Sequence, residues 1–343
     1  MGRTFLIFTL GVFLLSCEST TDFYLVGTSD QKAQISELFT LLDNSESETD
    51  RLIVLEQLSS AFLAAGHPDR MRVFLTTHVE QNPHDFFNAY YLLLVAKNHR
   101  DAGETEAAKM YFERLLFNYP DVTVRGVPVH FTALRELIPI TRDPERRLAY
   151  YIDILDRFET RIDVGFTQYA MARTYEELGR WEESFVAYRE FLKHPQSRIP
   201  GFPDAHEVIR DRIAFHDSTK NWTFESLEDL VAAIRNALWT QNPRRLIPLQ
   251  AQENFFAMSW QQEETDFNAR MNFDLSSFLI RSNVRFEQNL TLNSNAREAY
   301  LRTWGWSHSV SIWYFYFRRV EYPADPEING SWEWAGIYFG DFS

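Results

Sequence analysis

Apolar side chains recur at three- and four-residue steps through most of residues 31–215, and at two-residue steps in short runs after residue 280. The first spacing places apolar groups on one face of a helix, the second on one face of a strand. Gln31 to Leu42, with Ile35, Leu38, Phe39, Leu41 and Leu42, reads as a leading helix, and Asp50 is then the expected cap of the next. Three glycines, Gly66, Gly103 and Gly179, are followed 17, 17 and 16 residues later by Pro83, Pro120 and Pro195. From Gly103 to Gly179 is 76 residues, twice the 37 between Gly66 and Gly103 to within two, so a degenerate member lies between them. Four helix–turn–helix units are expected, over 52–85, 89–122, 128–161 and 165–198.

The second unit, from Ala89, has Ala96 at position 8, Gly103 at 15, Ala108 at 20, Phe112 at 24, Leu116 at 28 and Pro120 at 32. The fourth, from Gly165, has Ala172, Tyr175, Gly179, Trp181, Ser184, Tyr188 and Leu192 at 8, 11, 15, 17, 20, 24 and 28. Small residues let paired helices approach closely, glycine tolerates the turn, and proline starts the next unit. This pattern, with its Ala-x3-Phe from Ala108 to Phe112, resembles the tetratricopeptide repeat. The first unit has Met71 where a small residue is usual, which predicts looser helix packing. The third lacks the glycine and the final proline and uses Asp143-Pro144 as its turn. The resemblance implies an all-α superhelix over 30–215 with a groove lined by each first helix. Groove positions 2, 5, 9 and 12 correspond to Tyr90, Leu93, Lys97 and Arg100 in the second unit and to Phe166, Tyr169, Arg173 and Glu176 in the fourth. Lys97 and Arg173 share position 9, a basic spot suited to a peptide carboxylate.

After residue 220 the composition changes. Eight of the 9 tryptophans (222, 239, 260, 304, 306, 313, 332 and 334) lie there, which marks a domain over 222–343. Phe224 to Leu238 reads as an amphipathic helix, Pro243 starts a second after the cap Asn242, and Phe255 to Trp260 reads as a strand. A helical stretch over 262–280 is expected next. Val284, Phe286, Leu290 and Leu292 alternate with polar residues as a strand with one wet face. Tyr300–Trp306 and Val310–Val320 form a hairpin across Ser307-His308-Ser309, and Ser331–Phe339 is the last strand. Helices followed by a curved antiparallel sheet resemble the NTF2-like cone, so the fold class is α + β in separate domains. That resemblance implies a pocket among Phe286, Gln288, Tyr300, Trp304 and Tyr314. Val310–Val320 is apolar on both faces, so both need cover: one covers the helices or a pocket, and the other meets the repeat domain or a second copy, giving a homodimer.

The net charge is -14, and no basic stripe offsets it, which argues against a nucleic-acid partner. Arg244-Arg245 and Arg318-Arg319 read as solvated pairs. The 9 histidines show no zinc spacing, and no paired acid and base is available for catalysis, so no metal, cofactor or catalytic residue is nominated. The single cysteine, Cys17, excludes an internal disulfide. Arg3 and the apolar run Phe5 to Leu15 form a secretory leader, too short for the ~20 residues that span a bilayer. Leu14-Leu15-Ser16-Cys17 resembles a bacterial lipobox, which implies cleavage after residue 16, lipidation of Cys17 and a flexible tether over 17–29. Glu18, where an Asp would act as an inner-membrane retention signal, points to the outer membrane, facing the periplasm. The combination resembles, in anchor and repeats, lipoproteins of outer-membrane β-barrel assembly and periplasmic transport. The expectation is an envelope scaffold binding a protein or peptide; the alternative is a ligand-binding or enzymatic NTF2-like domain.

Overall fold

The structure, a computed structural model, describes residues 22–253, 255–261, 275–306 and 311–341. Cys17 and its leader, residues 262–274, the turn 307–309 and Val310 lie outside the described residues. The chain divides into two compact units, Met1–Ile162 and Asp163–Ser343.

In the first unit the chain is already folded at Asp22, within the stretch expected as tether. Tyr24 is buried among Phe39, Phe62 and Phe74, with ring centroids 5.5–5.9 Å apart, and the Arg70 guanidinium lies 3.6 Å from the Phe23 ring centre. α1 (Ser29–Asp43) opens on a capping box in which Thr28 and Gln31 bond each other's backbone. Three helix pairs follow: α2 (Glu48–Ala64) with α3 (Pro68–Gln81), α4 (Asn88–Asp101) with α5 (Thr105–Asn118), and α6 (Val129–Ile140) with α7 (Pro144–Phe158). The cap of α2 is Ser47, whose hydroxyl accepts from the Asp50 N–H; Asp50 itself sits inside the helix. Leu55, Phe62, Leu75, Leu92, Phe112 and Leu134 are fully buried in one continuous core.

The recurring glycine has one cause in each pair. Gly66, Gly103 and Gly179 have φ of 79°, 77° and 69°, the left-handed conformation that ends a helix without a Cβ clash. Each time the following N–H reaches back to a carbonyl five residues earlier (His67 to Phe62, Glu104 to His99, Arg180 to Tyr175, all 2.9 Å). Ala108 and Ser184 are fully buried where the helices of their pairs meet. α2 and α3, with Met71 at that position, pack less closely than α4 with α5.

Between α5 and α6 the chain forms a small hairpin, β1 (Thr123–Val124) against β2 (Val127–Pro128). The third pair ends α6 without glycine: Thr141 is extended, its hydroxyl bonding the Leu137 carbonyl at 2.7 Å, and Asp143 caps α7 with Pro144 in the first turn.

The second unit begins with the fourth pair, α8 (Val164–Glu177) and α9 (Trp181–Leu192), followed by α10 (Ala205–Asp217). At Gly165 a Cβ would come within 2.6 Å of the His194 Cβ, so this contact admits only glycine. α11 (Leu227–Trp239) starts later than expected, capped by Ser226, because Phe224 instead bonds Trp332 through its backbone as a β-bridge. α12 (Pro243–Leu246) is capped by Asn242. β3 (Phe256–Ser259), α13 (Leu275–Arg281), β4 (Arg285–Phe286), β5 (Glu298–Trp304), β6 (Ile312–Arg319) and β7 (Trp332–Phe339) complete the unit. The sheet order is β3-β7-β6-β5-β4. It is antiparallel except at one edge, where β3 runs parallel to β7, so the sheet is mixed. The strand expected over 284–292 is only two residues long; Leu292 is fully exposed.

One sheet face packs Trp313, Phe315, Phe317, Trp334 and Ile337 against Leu230, Ile234 and Leu238 of α11. On the other, Phe256, Tyr316 and Tyr338 cluster, and Trp260 stacks flat on Tyr338 at 4.1 Å. The helical part of this unit joins the sheet part through aromatic groups. His216 stacks on Phe185 at 3.8 Å and bonds the Tyr322 hydroxyl at 2.7 Å, and Phe215 meets the edge of Tyr322 at 4.9 Å. Buried Trp222 donates to Glu333 at 2.9 Å, and Arg318 donates to the other Glu333 oxygen at 2.8 Å, so the buried carboxylate is matched. No helix among the described residues is long and apolar enough to cross a membrane.

Candidate functional site

The groove candidates of the second repeat lie on α4, whose glycine-capped end and tight contact with α5 fix its rotation. Tyr90 and Lys97 sit on the side of α4 that faces α2. With Glu56, Ser59, Ser60 and Leu63 of α2, Met71, Leu94, Asn98, Asp101 and Arg125 they line a cavity of about 300 Å³. Glu56, Ser60 and Leu63 occupy positions 5, 9 and 12 counted from Leu52, so the first helices of two consecutive repeats form its walls. Leu93 does not line it; at 6% exposure it belongs to the core.

The charges divide into committed and uncommitted groups. The Tyr90 hydroxyl donates to Glu56 Oε1, and burial together with that bond raises the hydroxyl above its ordinary range. Arg125 donates to Glu56 Oε2 at 2.8 Å. Arg100 is held by Asp101 at 2.7 Å and by Glu136 of α6, bonds to two carboxylates that raise its pKa further. Lys97 has no ion-pair partner among the described residues, and the buried Asn98 Oδ1 accepts no hydrogen bond. A lysine without a partner beside an unsatisfied amide oxygen can take both an anion and a donor.

In the fourth repeat the candidates behave differently. Tyr169 is packed against Tyr188 and Phe191 at 5.9 and 5.4 Å, while Phe166 is exposed. Arg173 donates to Glu176 Oε2 at 2.6 Å, and Arg212 of α10 lies 2.6 Å from Glu176 Oε1. Glu176 thus accepts a hydrogen bond from Arg173 and forms an ion pair with Arg212. Arg173 and Lys97 belong to different compact units, and each is placed within its own.

The residues expected around one pocket in the sheet domain are divided between the two faces of the sheet. Phe286 pairs with Thr303 and packs on the helix side of the sheet. Tyr300 and Tyr314 project from the opposite face, where Tyr300 lies 5.8 Å from Trp260 and the Tyr314 hydroxyl bonds Asp341 at 2.5 Å. Trp304 is half-buried on that face with Arg302 5.7 Å from its ring, and Gln288 is exposed, its carbonyl accepting from Arg235 at 2.8 Å. The alternation of a strand puts successive residues on opposite faces, and the sequence alone did not fix which face each strand turns inward.

Glu56, Asn98 and Arg125 were not singled out from the sequence. One signal for Arg125 was present: repeat starts at 52, 89, 128 and 165 are 37, 39 and 37 residues apart, and the extra length falls at the β1–β2 hairpin.

The family model for the tetratricopeptide repeat matches residues 90–121 and 167–197, which are the second and fourth pairs. Among curated proteins no match was found. The helical region carries tetratricopeptide repeats, and a C-terminal sheet domain follows them.

Proposed function

We propose that this protein is a membrane-anchored scaffold of the bacterial envelope whose repeats hold a protein partner in their groove. The observation that carries the reading is the cavity between α2 and α4, lined by groove positions of two repeats, with Lys97 unpaired inside it. Repeats of this kind act by presenting such surfaces. The anchor is Cys17, on the strength of the apolar run and the Leu14-Leu15-Ser16-Cys17 ending, and Glu18 favours the outer membrane. Two or three acyl chains at ~0.8 kcal/mol per buried CH₂ hold a protein on a bilayer durably. The sheet domain is read as an NTF2-like module from its element order, with α11, α12, β3 and α13 preceding four further strands.

A photo-crosslinking residue at Ser60, on the groove, is compared in the native envelope with one at Met110, exposed on α5. Ser60 is expected to give a discrete adduct that Lys97→Glu abolishes, with thermal stability changed by less than ~0.5 kcal/mol. Equal adducts from both positions would end the groove reading. Cys17→Ala should move the protein out of the membrane fraction; unchanged detergent partitioning would remove the anchor from the proposal.

A further inference from the structure

Arg244-Arg245, read from the sequence as a solvated pair, sits in a corner of the second unit that carries no acid. Between Asp229 and Glu253 the only charged residues are Arg235, Arg244 and Arg245; between Asp274 and Glu287 they are Arg281 and Arg285. In the whole chain acids outnumber bases, 48 to 34, so these two segments are a local exception. The fold brings them together. Leu238 and Leu246 share a core with Leu275 and Leu279, and the Gln241 side chain donates to the Ser282 carbonyl at 3.1 Å. Gln241 has a φ of 46°, a left-handed position like that of Arg125 in the β1–β2 turn at 51°, where glycine would sit without strain. The glutamine takes that place and ties the ends of α11 and α13. The Asn242 N–H reaches back to the Ala237 carbonyl at 3.0 Å, and the Asn242 side chain accepts from the Arg244 N–H at 3.1 Å, so the turn is held on both sides.

This rigid corner presents large apolar groups to solvent. Trp239, the last residue of α11, is 81% exposed, and Ile280 is 66% exposed next to fully buried Leu279. Each lies two residues before the Gln241–Ser282 bond, so the joined helix ends carry both. Arg244 and Arg245 follow in the first turn of α12, both exposed. No hydrogen bond, ring contact or ion pair holds the Trp239, Arg244 or Arg245 side chain among the described residues. We propose that this corner docks on an anionic lipid surface, with Trp239 and Ile280 entering the headgroup layer and Arg244 and Arg245 meeting lipid phosphates. Tryptophan suits a boundary with an apolar layer on one side and water on the other, and each arginine near an anionic leaflet strengthens binding roughly fivefold. The net charge of -14 repels the rest of the molecule from such a surface, so the acid-free corner is the part that approaches it. An acidic protein would satisfy the arginines but offers no acyl layer to Trp239 and Ile280. The site is distinct from Cys17: a lipid anchor holds a chain near a bilayer, and a basic aromatic patch adds the second contact that fixes the sheet domain against it.

The test places a photo-crosslinking residue at Ile280 of the full chain, reconstituted in phosphatidylcholine vesicles with and without phosphatidylglycerol. Val186, exposed on α9 of the same unit, is the reference position. Lipid adducts are expected at 280 at least ~5-fold above those at 186, and only where phosphatidylglycerol is present. Trp239→Ala, and Arg244→Gln together with Arg245→Gln, should each lower the 280 adduct at least ~5-fold. Circular-dichroism melts of these variants should match wild type, since all three side chains are exposed. Equal adducts at 280 and 186, or an adduct at 280 indifferent to the arginine changes, would overturn the assignment. A discrete protein adduct at 280 in the native envelope, without a lipid adduct, would overturn it too and make the corner a protein interface. The anchor is judged separately, by the partitioning of Cys17→Ala, so either reading can fail alone.

Discussion

Arg125 sets backbone preference against a surface ion pair. A non-glycine residue in the left-handed region costs ~1–2 kcal/mol, less for Asn and Asp, whereas an exposed ion pair such as Arg125–Glu56 returns ~0–1 kcal/mol. Arg125→Asn, which places the favoured Asn-Gly dipeptide at the turn, should therefore raise stability by ~0.5 kcal/mol or leave it unchanged, read from the denaturation midpoint. A fall of more than ~1 kcal/mol would mean that the guanidinium holds the fold together. His130 is the second informative residue. Its Nε2–H donates to the Tyr119 carbonyl at 3.1 Å and its Nδ1 accepts from Arg157 at 2.8 Å, an arrangement that needs the neutral ring. Burial, followed by the Arg157 charge, lowers its pKa below 6.5, although Asp121 and Asp153 nearby pull the other way. With the folded value depressed, the unfolded chain takes the proton first. The contribution is therefore present above pH ~6.5 and is lost as pH falls from there through the folded value. The melting temperature of wild type should decline across that window more steeply than that of His130→Gln; parallel curves would count against the assignment.

Helices and turns were the elements most legible in the sequence. Glycine at a helix end and a small residue at a crossing are local requirements, so Gly66, Gly103, Gly179, Ala108 and Ser184 announce them without knowledge of the rest of the chain. Ala108, fully buried where α4 meets α5, gives the sharpest test: Ala108→Trp should overpack the contact and cost ~1–3 kcal/mol in chemical denaturation. A loss within error would mean that the two helices can separate freely. Strands were harder to read. Leu290 and Leu292 alternate correctly yet lie outside β4, because a strand needs a neighbour and β5 bonds this segment only intermittently, at Glu287 and Thr291. The parallel pairing of β3 with β7 joins segments some 80 residues apart, which period-two patterning cannot specify. The cavity was half legible for the same reason: Tyr90 and Lys97 follow from repeat position, but Arg125 arrives from a hairpin whose reach only the folded chain defines.

At the scale of the molecule, the change in composition after residue 220 and the division into compact units fall in different places. The tryptophan-rich segment starts at Trp222, whereas the units separate between Ile162 and Asp163. The aromatic groups around Tyr322 account for the difference, since His216, Phe215 and Phe185 reach across the compositional change. A fragment ending at Asp217 loses Tyr322 and Trp222 and leaves Phe185 and Phe215 without those partners. Trypsin should then cut within 163–217 quickly, whereas a fragment beginning at Asp163 should keep the same segment protected. Equal digestion would mean that the fourth repeat stands alone.

The stacking of His216 between Phe185 and the Tyr322 hydroxyl also decides how the chain would respond to mechanical load. Pulled from its ends, the fourth helix pair and the sheet should give way in a single rupture event. The short connection over 218–221, where Lys220 bonds two carbonyls of the preceding turn, would then transmit force as a splint and not stretch as a hinge.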